Sequence, residues 1–175
     1  MNRTFTGMLS GFAATAPMTA AMFALHKLLP WFERYALPPR TVTLNLADTA
    51  DERMAMSKPQ RDIATTAAHF GYGAAAGGLY AAIEQRLPGP PVAKGIGWGL
   101  IVWAGSYLVL LPALRLHRPA TREPAGRNVM MILAHVVWGA SLGAMTAKAA
   151  PSSGRSASSS RPPAASRAPS MASSR

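Results

Sequence analysis

The chain has 175 residues, of which 49% are hydrophobic and only 14% charged, and its formal net charge is +11. It contains no cysteine, which excludes disulfides, thiolate metal sites, cysteine catalysis and cysteine-held iron–sulfur clusters. So low a charge content is unusual for a soluble domain. The basic residues lie in the connecting segments and the tail, where lipid headgroups are the nearest partner. The positive charge therefore predicts contact with anionic headgroups, and no nucleic-acid partner.

Four stretches lack Asp, Glu, Lys and Arg: residues 5–26, 63–83, 95–114 and 128–147. A hydrocarbon core about 30 Å thick is crossed by roughly 20 helical residues, and each stretch reaches that length. A soluble helical bundle is the alternative, but apolar runs in buried soluble helices are shorter, about 10–14 residues. The sequence therefore predicts an all-α integral membrane four-helix bundle over residues 1–148.

The first stretch also has features of a secretory signal, because it follows Arg3 and contains small residues. It is longer than a signal core of about 7–15 residues, and Pro17 interrupts it. We therefore expect a retained spanning helix.

The loop of residues 27–62 contains the segment "TVTLNLADTADERMAM" at 41–56. Its composition favours a short surface helix. Its apolar residues Val42, Leu44 and Leu46 alternate, which favours an extended segment. Both alternatives stay open.

Composition predicts different environments for the second and third stretches. Twelve of the 21 residues 63–83 are Ala or Gly, so this helix offers little large apolar surface to lipid and is predicted to be central. The third stretch contains "GLIVW" and "YLVLLPAL" and is predicted to face lipid. Trp98 is predicted to anchor it at a membrane interface.

Two further segments are predicted to be polar and irregular. "RLHRPATREPAGR" at 115–127 has the composition of a short, solvated connection. Residues 149–175 contain ten Ser, seven Ala, four Pro and four Arg with no acid, which predicts a disordered tail. The tail arginines would attract anionic lipid headgroups.

Basic residues divide almost equally between the two sides of the predicted bundle, so charge favours neither orientation.

The second and fourth stretches share a pattern. "AHFGYGAAAGGLYA" at 68–81 and "AHVVWGASLGAMTA" at 134–147 both contain His-x-x-aromatic-Gly-Ala-x-x-Gly, 66 residues apart. The pattern predicts two parallel two-helix repeats related by an axis along the membrane normal. Chance similarity between Ala- and Gly-rich helices is the alternative.

Every stretch also carries two glycines four residues apart, a spacing that places both on one helix face. Close backbone approach is a main source of helix association in lipid, so these residues are predicted to pack helices together. They are Gly7 and Gly11, Gly73 and Gly77, Gly95 and Gly99, and Gly139 and Gly143.

Three segments carry a resemblance to a known family. With "GMLSGFAATAPMTAAM" at 7–22, "LPPR" at 37–40 and "HFGYGAAAGGLYAAI" at 69–83, the chain resembles the YagU-like group of small bacterial inner-membrane proteins. The resemblance covers roughly residues 7–147 and omits the tail. It implies a multi-pass protein of the bacterial inner membrane and supplies no functional residues.

His69 and His135 are the only ionisable side chains well inside the predicted spans apart from tyrosines. Each is followed by glycine at i+4 and i+8, so both are predicted to point into the bundle, at about the same depth. Polar groups at such depth suggest function by default. Three interpretations stay open: structural hydrogen bonds of neutral imidazoles, a proton or ion path, or axial ligation of a b-type haem. The polar route could be extended by Thr15, Thr19, Ser106 and Tyr107.

No carboxylate enters a predicted span, so we expect no catalytic acid pair, no serine triad and no metal site within the membrane. The sequence thus favours a non-enzymatic protein: a small permeation unit, or a scaffold or subunit of a membrane assembly that could include a homo-oligomer. The alternative is a b-type haem-binding electron-transfer subunit that uses His69 and His135.

Overall fold

The computed structural model describes residues 2–34, 36–49, 57–116 and 119–149. Over these residues the chain is all-helical, as predicted, and contains no strand. The main helices are α1 (Arg3–His26), α2 (Pro38–Thr49), α3 (Lys58–Ile83), α4 (Pro91–Ala113) and α5 (Ala125–Ala149), and short 3-10 helices lie at Trp31–Glu33, Glu84–Arg86 and Ala120–Arg122. The predicted disordered tail lies, beyond Ala149, outside the described residues.

The long helices extend past the uncharged stretches because their ends carry polar caps and prolines. Asn2 precedes α1, and its side chain accepts a hydrogen bond of 3.1 Å from the Thr4 N–H. Ser57 precedes α3, and its N–H donates to Gln60 Oε1 at 2.7 Å. Pro91 is the first residue of α4, where a missing N–H has no intrahelical partner to lose.

Three of the described helices, α1, α4 and α5, are long and apolar enough to cross a membrane. Helix α3 has 26 residues but is not one of these three. Its many Ala and Gly residues are only weakly hydrophobic, and Lys58, Arg61 and Asp62 lie in its first turns.

The long helices pack as two antiparallel pairs, α1 with α3 and α4 with α5, and the pairs meet mainly through α1 and α5. Helices α3 and α4 make few close backbone contacts. The prediction that the second stretch is central is therefore wrong, because small residues bring α3 close to α1 on one side only. Helix α4 is more exposed than α5: over the apolar 18 residues that could span a membrane, 17% are buried in α4 and 50% in α5. That the exposed surface of α4 faces lipid stays a prediction.

Glycines bring α1 and α3 into backbone contact. A Cβ added at Gly11 would meet the carbonyl oxygen of Gly73 and lie 2.8 Å from the Cα of Gly77. One added at Gly7 would lie 2.5 Å from the carbonyl oxygen of Gly77 and would meet the Ala81 Cβ. The helices could not approach this closely with any larger residue at these positions.

Helices α4 and α5 repeat this contact pattern. A Cβ added at Gly95 would meet the carbonyl oxygen of Gly139 and lie 2.8 Å from the Gly143 nitrogen. One added at Gly99 would meet the carbonyl oxygen of His135. Gly95 thus has the place in the second pair that Gly11 has in the first.

Where the two pairs meet, α1 and α5 bury methionines instead of glycines. Met18 and Met22 lie on α1, and Met130 and Met131 lie on α5; each is 5% exposed or less. All four belong to one hydrophobic core. We call this contact the methionine seam.

The segment 41–56, for which a surface helix and an extended segment were both open, is helical over its described residues 41–49. These residues belong to α2, which begins with Pro38 and Pro39. The Arg40 side chain pairs with Asp62 of α3. Asn45 Nδ2 donates to the Leu116 carbonyl oxygen at 2.7 Å. These contacts place α2 at the end of the molecule where α1 ends, the His26 end.

Candidate functional site

A cavity of about 220 Å³ lies between the helix pairs, and both His69 and His135 line it. The sequence predicted that the two histidines point inward from helices running in the same direction. His69 lies on α3 and His135 on α5. These two helices make far fewer close backbone contacts with each other than the two helices of each pair do. The cavity therefore joins two residues that belong to different pairs.

All five helices contribute to the cavity wall. The lining from α1, α2 and the start of α3 consists of Thr15, Met18, Pro38, Pro39, Val42, Thr43 and Ala68. The remaining wall from α3, α4 and α5 comprises Tyr72, Gly73, Ala76, Val102, Ser106, Tyr107, Leu111, Met131 and Trp138. Most of these residues are apolar, and a few hydroxyls and rings provide polar atoms.

His135 has a defined hydrogen-bonding arrangement. The side chain is 5% exposed, and its Nδ1 lies 2.8 Å from the Met131 carbonyl oxygen. A carbonyl oxygen only accepts, so Nδ1 carries a proton and donates. In the neutral imidazole, Nε2 is then an acceptor, and it has no hydrogen-bond partner among the described residues. The Tyr107 ring stands perpendicular to the imidazole, with 6.1 Å between the centroids.

His69 also has a nitrogen without a partner. Its Nε2 is buried and forms no hydrogen bond within the part of the chain that the structure describes. Buried polar atoms in native proteins are nearly always paired with protein, water or a ligand. The cavity thus contains two histidines whose hydrogen-bonding capacity is not fully used by the residues that the structure describes.

The other polar side chains of the wall mostly use their donors within the protein. Thr15 Oγ1 donates to the Gly11 carbonyl at 2.9 Å, and Trp138 Nε1 donates to the same oxygen at 3.2 Å. The hydroxyls of Tyr72 and Ser106 are hydrogen-bonded to each other at 2.7 Å. This hydrogen bond joins α3 to α4, two helices whose backbones make few close contacts.

A distorted turn in α4 positions two of these residues. Residues Gly105–Leu110 form a π-helix, in which the Leu111 N–H donates to the Ser106 carbonyl. Pro112 follows, and a proline displaces the carbonyl four residues before it, which favours the wider turn. Ser106 and Tyr107 are thereby held on the inner side, 6% and 8% exposed.

The cavity is closed away from the His26 end. Ala14, Tyr80 and Leu142 are fully buried there, beside the glycine contacts. Trp98 adds to this closure, since its Nε1 donates to the Ala76 carbonyl at 3.1 Å. Trp98 is half-buried and joins α4 to α3 through this hydrogen bond, and its role as an interfacial anchor stays a prediction.

Residues 1–156 match the model of DUF6789, a family of unknown function. The chain belongs to the DUF6789 family. No curated protein and no solved structure matches it.

In this DUF6789 protein the lining of the cavity is uncharged in the part of the chain that is described. The described residues also contain no group of three or more His, Cys, Asp or Glu side chains that could hold a metal. Of the residues predicted to extend a polar route, Thr15, Ser106 and Tyr107 line the cavity, whereas Thr19 does not.

The cavity volume also bears on haem. Benzene occupies an engineered cavity of about 150 Å³, and a porphyrin is several times larger than benzene. A space of about 220 Å³ is large enough for a single-ring molecule. Haem between His69 and His135 would require the helices to part, so haem ligation stays a prediction.

Sequence reasoning missed one structural group of this DUF6789 chain. Arg127 was placed in a solvated connection, but α5 begins before it and its side chain is 2% exposed. Its guanidinium pairs with Glu123 and donates to the carbonyl oxygens of Glu33 and Ala36, both at 3.0 Å. Arg127 thus fixes the segment that leads into α2 and so positions the wall that α2 provides. The four-residue spacing of Glu123 and Arg127 was the signal available in the sequence.

Proposed function

We propose that this chain is a four-span protein of the bacterial inner membrane and acts as a small permeation unit for uncharged solutes. The observation that carries the proposal is the cavity between the helix pairs, which holds His69 and His135 and is closed at one end. The solute site of a permeation unit is expected at such a position, between repeated helix pairs.

The length and packing of α3 support a fourth span. Its 26 residues rise about 39 Å, more than the hydrocarbon thickness of about 30 Å. It is antiparallel to α1 and shares the glycine contacts with it. A helix with weakly hydrophobic residues is tolerated in a membrane when its neighbours are firmly packed against it.

The exposed side chains support a lipid environment. Large apolar residues of the long helices face outward, among them Phe12, Ile101, Val109 and Leu133, which are 44–64% exposed. A surface of this kind is unusual for a soluble monomer. The resemblance to YagU-like proteins points to the bacterial inner membrane.

The wall of the cavity favours uncharged solutes. An isolated ion loses its hydration on entering an apolar space, at a cost of several kcal/mol or more unless a counter-charge is present. No charged side chain is found among the described residues of the wall. Neutral molecules meet a smaller barrier, because their polar groups lose less hydration energy and can form hydrogen bonds in the cavity.

Passage across the membrane then needs a second arrangement of the helices. The glycine contacts and Tyr80 close the cavity at one end. A permeation unit with a site closed on one side exposes that site to the other side by a relative movement of its repeats.

The proposal is tested by glycerol influx into liposomes that contain the full chain. Glycerol is uncharged, carries hydroxyl groups and is smaller than the cavity. Osmotic swelling followed by stopped-flow light scattering should be faster than in protein-free liposomes. Ala68→Trp should slow it, because Ala68 is an exposed residue of the cavity wall. Ala67→Trp is the matched control, since Ala67 is exposed and does not line the cavity.

Equal swelling rates with and without the protein would contradict the proposal. So would equal rates for the two tryptophan variants, provided that both insert in similar amounts.

The scaffold, assembly and haem hypotheses stay predictions. Crosslinking in native membranes tests for a homo-oligomer or a partner subunit, and the absorption spectrum of the purified protein tests for haem. Attraction of the tail to anionic lipid concerns residues outside the described ones, and deletion of residues 151–175 tests it.

A further inference from the structure

We infer that the cavity binds a small uncharged molecule that has an apolar body of about one ring and donates a hydrogen bond to an imidazole nitrogen. The inference rests on the proposed function, since it names the class of solute for the same cavity. It is carried by which hydrogen-bonding atoms of the wall are already used and which are not.

The Met131 carbonyl determines the role of His135. Because Nδ1 donates to that carbonyl, the remaining nitrogen of the neutral ring is an acceptor. Nothing in the described part of the chain donates to it. A ligand that brings an O–H or N–H group would satisfy it.

The donors of the wall point to the same chemistry. The hydroxyls of Thr15 and Thr43 donate to backbone carbonyls, at 2.9 and 2.8 Å. The Trp138 N–H donates to a carbonyl, and the hydroxyls of Tyr72 and Ser106 bind each other. One hydroxyl proton of the Tyr72–Ser106 pair and the N–H of the neutral His69 ring can still donate to a ligand. A ligand with a hydroxyl group can accept from one of these donors and also donate to His135 Nε2. A ligand that only accepts leaves that histidine nitrogen without a donor.

His69 provides a second point of contact. Its Nε2 is buried and without a hydrogen-bond partner in the described residues, on the opposite pair from His135. A ligand between the two imidazoles would link the two helix pairs. A buried polar atom without a partner is destabilising, and a ligand that forms a hydrogen bond with it removes that penalty.

Volume and wall composition set the body of the ligand. The cavity volume is about 220 Å³. An engineered cavity of about 150 Å³ binds benzene, so this cavity has room for one ring and little more. Met18, Val102, Leu111 and Met131 supply apolar surface. A single ring with one hydroxyl or amine group fits both the space and the surface.

Phenol, anisole and toluene test this chemistry because they have similar shapes. Phenol donates and accepts, anisole only accepts, and toluene does neither. The full chain with ¹⁵N-labelled histidine is placed in lipid nanodiscs, and each compound is added to the same concentration in the bilayer. The nitrogen resonances of His69 and His135 report binding, and His26, which does not line the cavity, is the internal reference.

We expect a saturable shift of the His135 Nε2 resonance with phenol, in the direction of an accepted hydrogen bond. One neutral hydrogen bond makes phenol bind about 3-fold to 10-fold more tightly than anisole or toluene. Ala68→Trp should remove the shift and Ala67→Trp should retain it. The ligand comparison uses the unaltered protein, so it does not depend on the folding of any variant.

Equal saturable shifts with all three compounds would overturn the requirement for a donor. Shifts that never saturate, or shifts shared by His26, would show that the compounds do not bind specifically in the cavity and would overturn the inference. If phenol binds while glycerol influx is not raised, the site stands and the permeation proposal falls. If influx is raised while phenol leaves the histidines unchanged, permeation stands and this ligand class falls.

Discussion

A methyl group added at Gly95 tests the backbone contact between α4 and α5. In Gly95→Ala the new Cβ would meet the Gly139 carbonyl oxygen and lie 2.8 Å from the Gly143 nitrogen. These are backbone atoms, which cannot turn away as a side chain can. Gly97→Ala is the matched control, because a Cβ there has no atom within 4 Å and lies on the same helix.

The size of the effect follows from these distances. Non-bonded heavy atoms prefer separations of about 3.5–4.0 Å, so the helices must part by roughly 1 Å. A gap of that size removes about a quarter to a half of the dispersion energy of each contact along the pair. Overpacking in a close-packed interior costs about 1–3 kcal/mol. Alanine also has a higher helix propensity than glycine, by up to about 1 kcal/mol, in both variants.

The free energy of unfolding is measured by reversible denaturation in mixed micelles with increasing SDS. Gly95→Ala should be less stable than Gly97→Ala by about 1–3 kcal/mol, since the comparison cancels helix propensity. Gly77→Ala and Gly71→Ala make the same comparison on α3. A Cβ added at Gly77 would lie 2.7 Å from the Gly11 Cα, whereas one added at Gly71 has no atom within 4 Å. Equal stabilities within both comparisons would refute the packing argument.

Two further experiments test contacts around the cavity. Arg127→Met should lower the free energy of unfolding by about 3–5 kcal/mol, because it removes the buried guanidinium that pairs with the Glu123 carboxylate and donates to two loop carbonyls. Arg122→Met, at an exposed position, should change it by less than about 0.5 kcal/mol, and similar losses in both would contradict the role of Arg127. For the Tyr72 and Ser106 hydroxyls, a double-mutant cycle with Tyr72→Phe and Ser106→Ala should give a coupling energy of about 0.6 kcal/mol, the average in a membrane protein. A coupling indistinguishable from zero would show that this hydrogen bond does not join α3 to α4.

The helices and the glycine positions could be located from the sequence because both depend on local patterns. Charge-free stretches marked the four long helices, and the i, i+4 spacing of Gly95 and Gly99 placed them on one face. Helix ends were missed by several residues, since Ser57 and Pro91 extend helices past the last charge. That extension depends on capping, which a count of charges does not include.

The cavity could be predicted only in part. The inward direction of His69 and His135 follows from their spacing to glycine, but the cavity volume depends on how far α3 lies from α4, which is a tertiary property. The contribution of α2 was also hidden, because Pro38 and Val42 have no pattern that shows which surface they cover. Arg127 was misplaced for a similar reason: its partners Glu33 and Ala36 are more than ninety residues away in the chain.

The methionine seam has a consequence for how the molecule can move. Thioether side chains are unbranched and polarizable, so they adapt to small displacements of their neighbours at little energetic cost. The glycine contacts within each pair allow no comparable adjustment, because backbone meets backbone. We therefore expect any relative movement to occur between α1 and α5, with each pair moving as one rigid body. Such a shear would change the distance between the two imidazoles while leaving the interior of either pair intact.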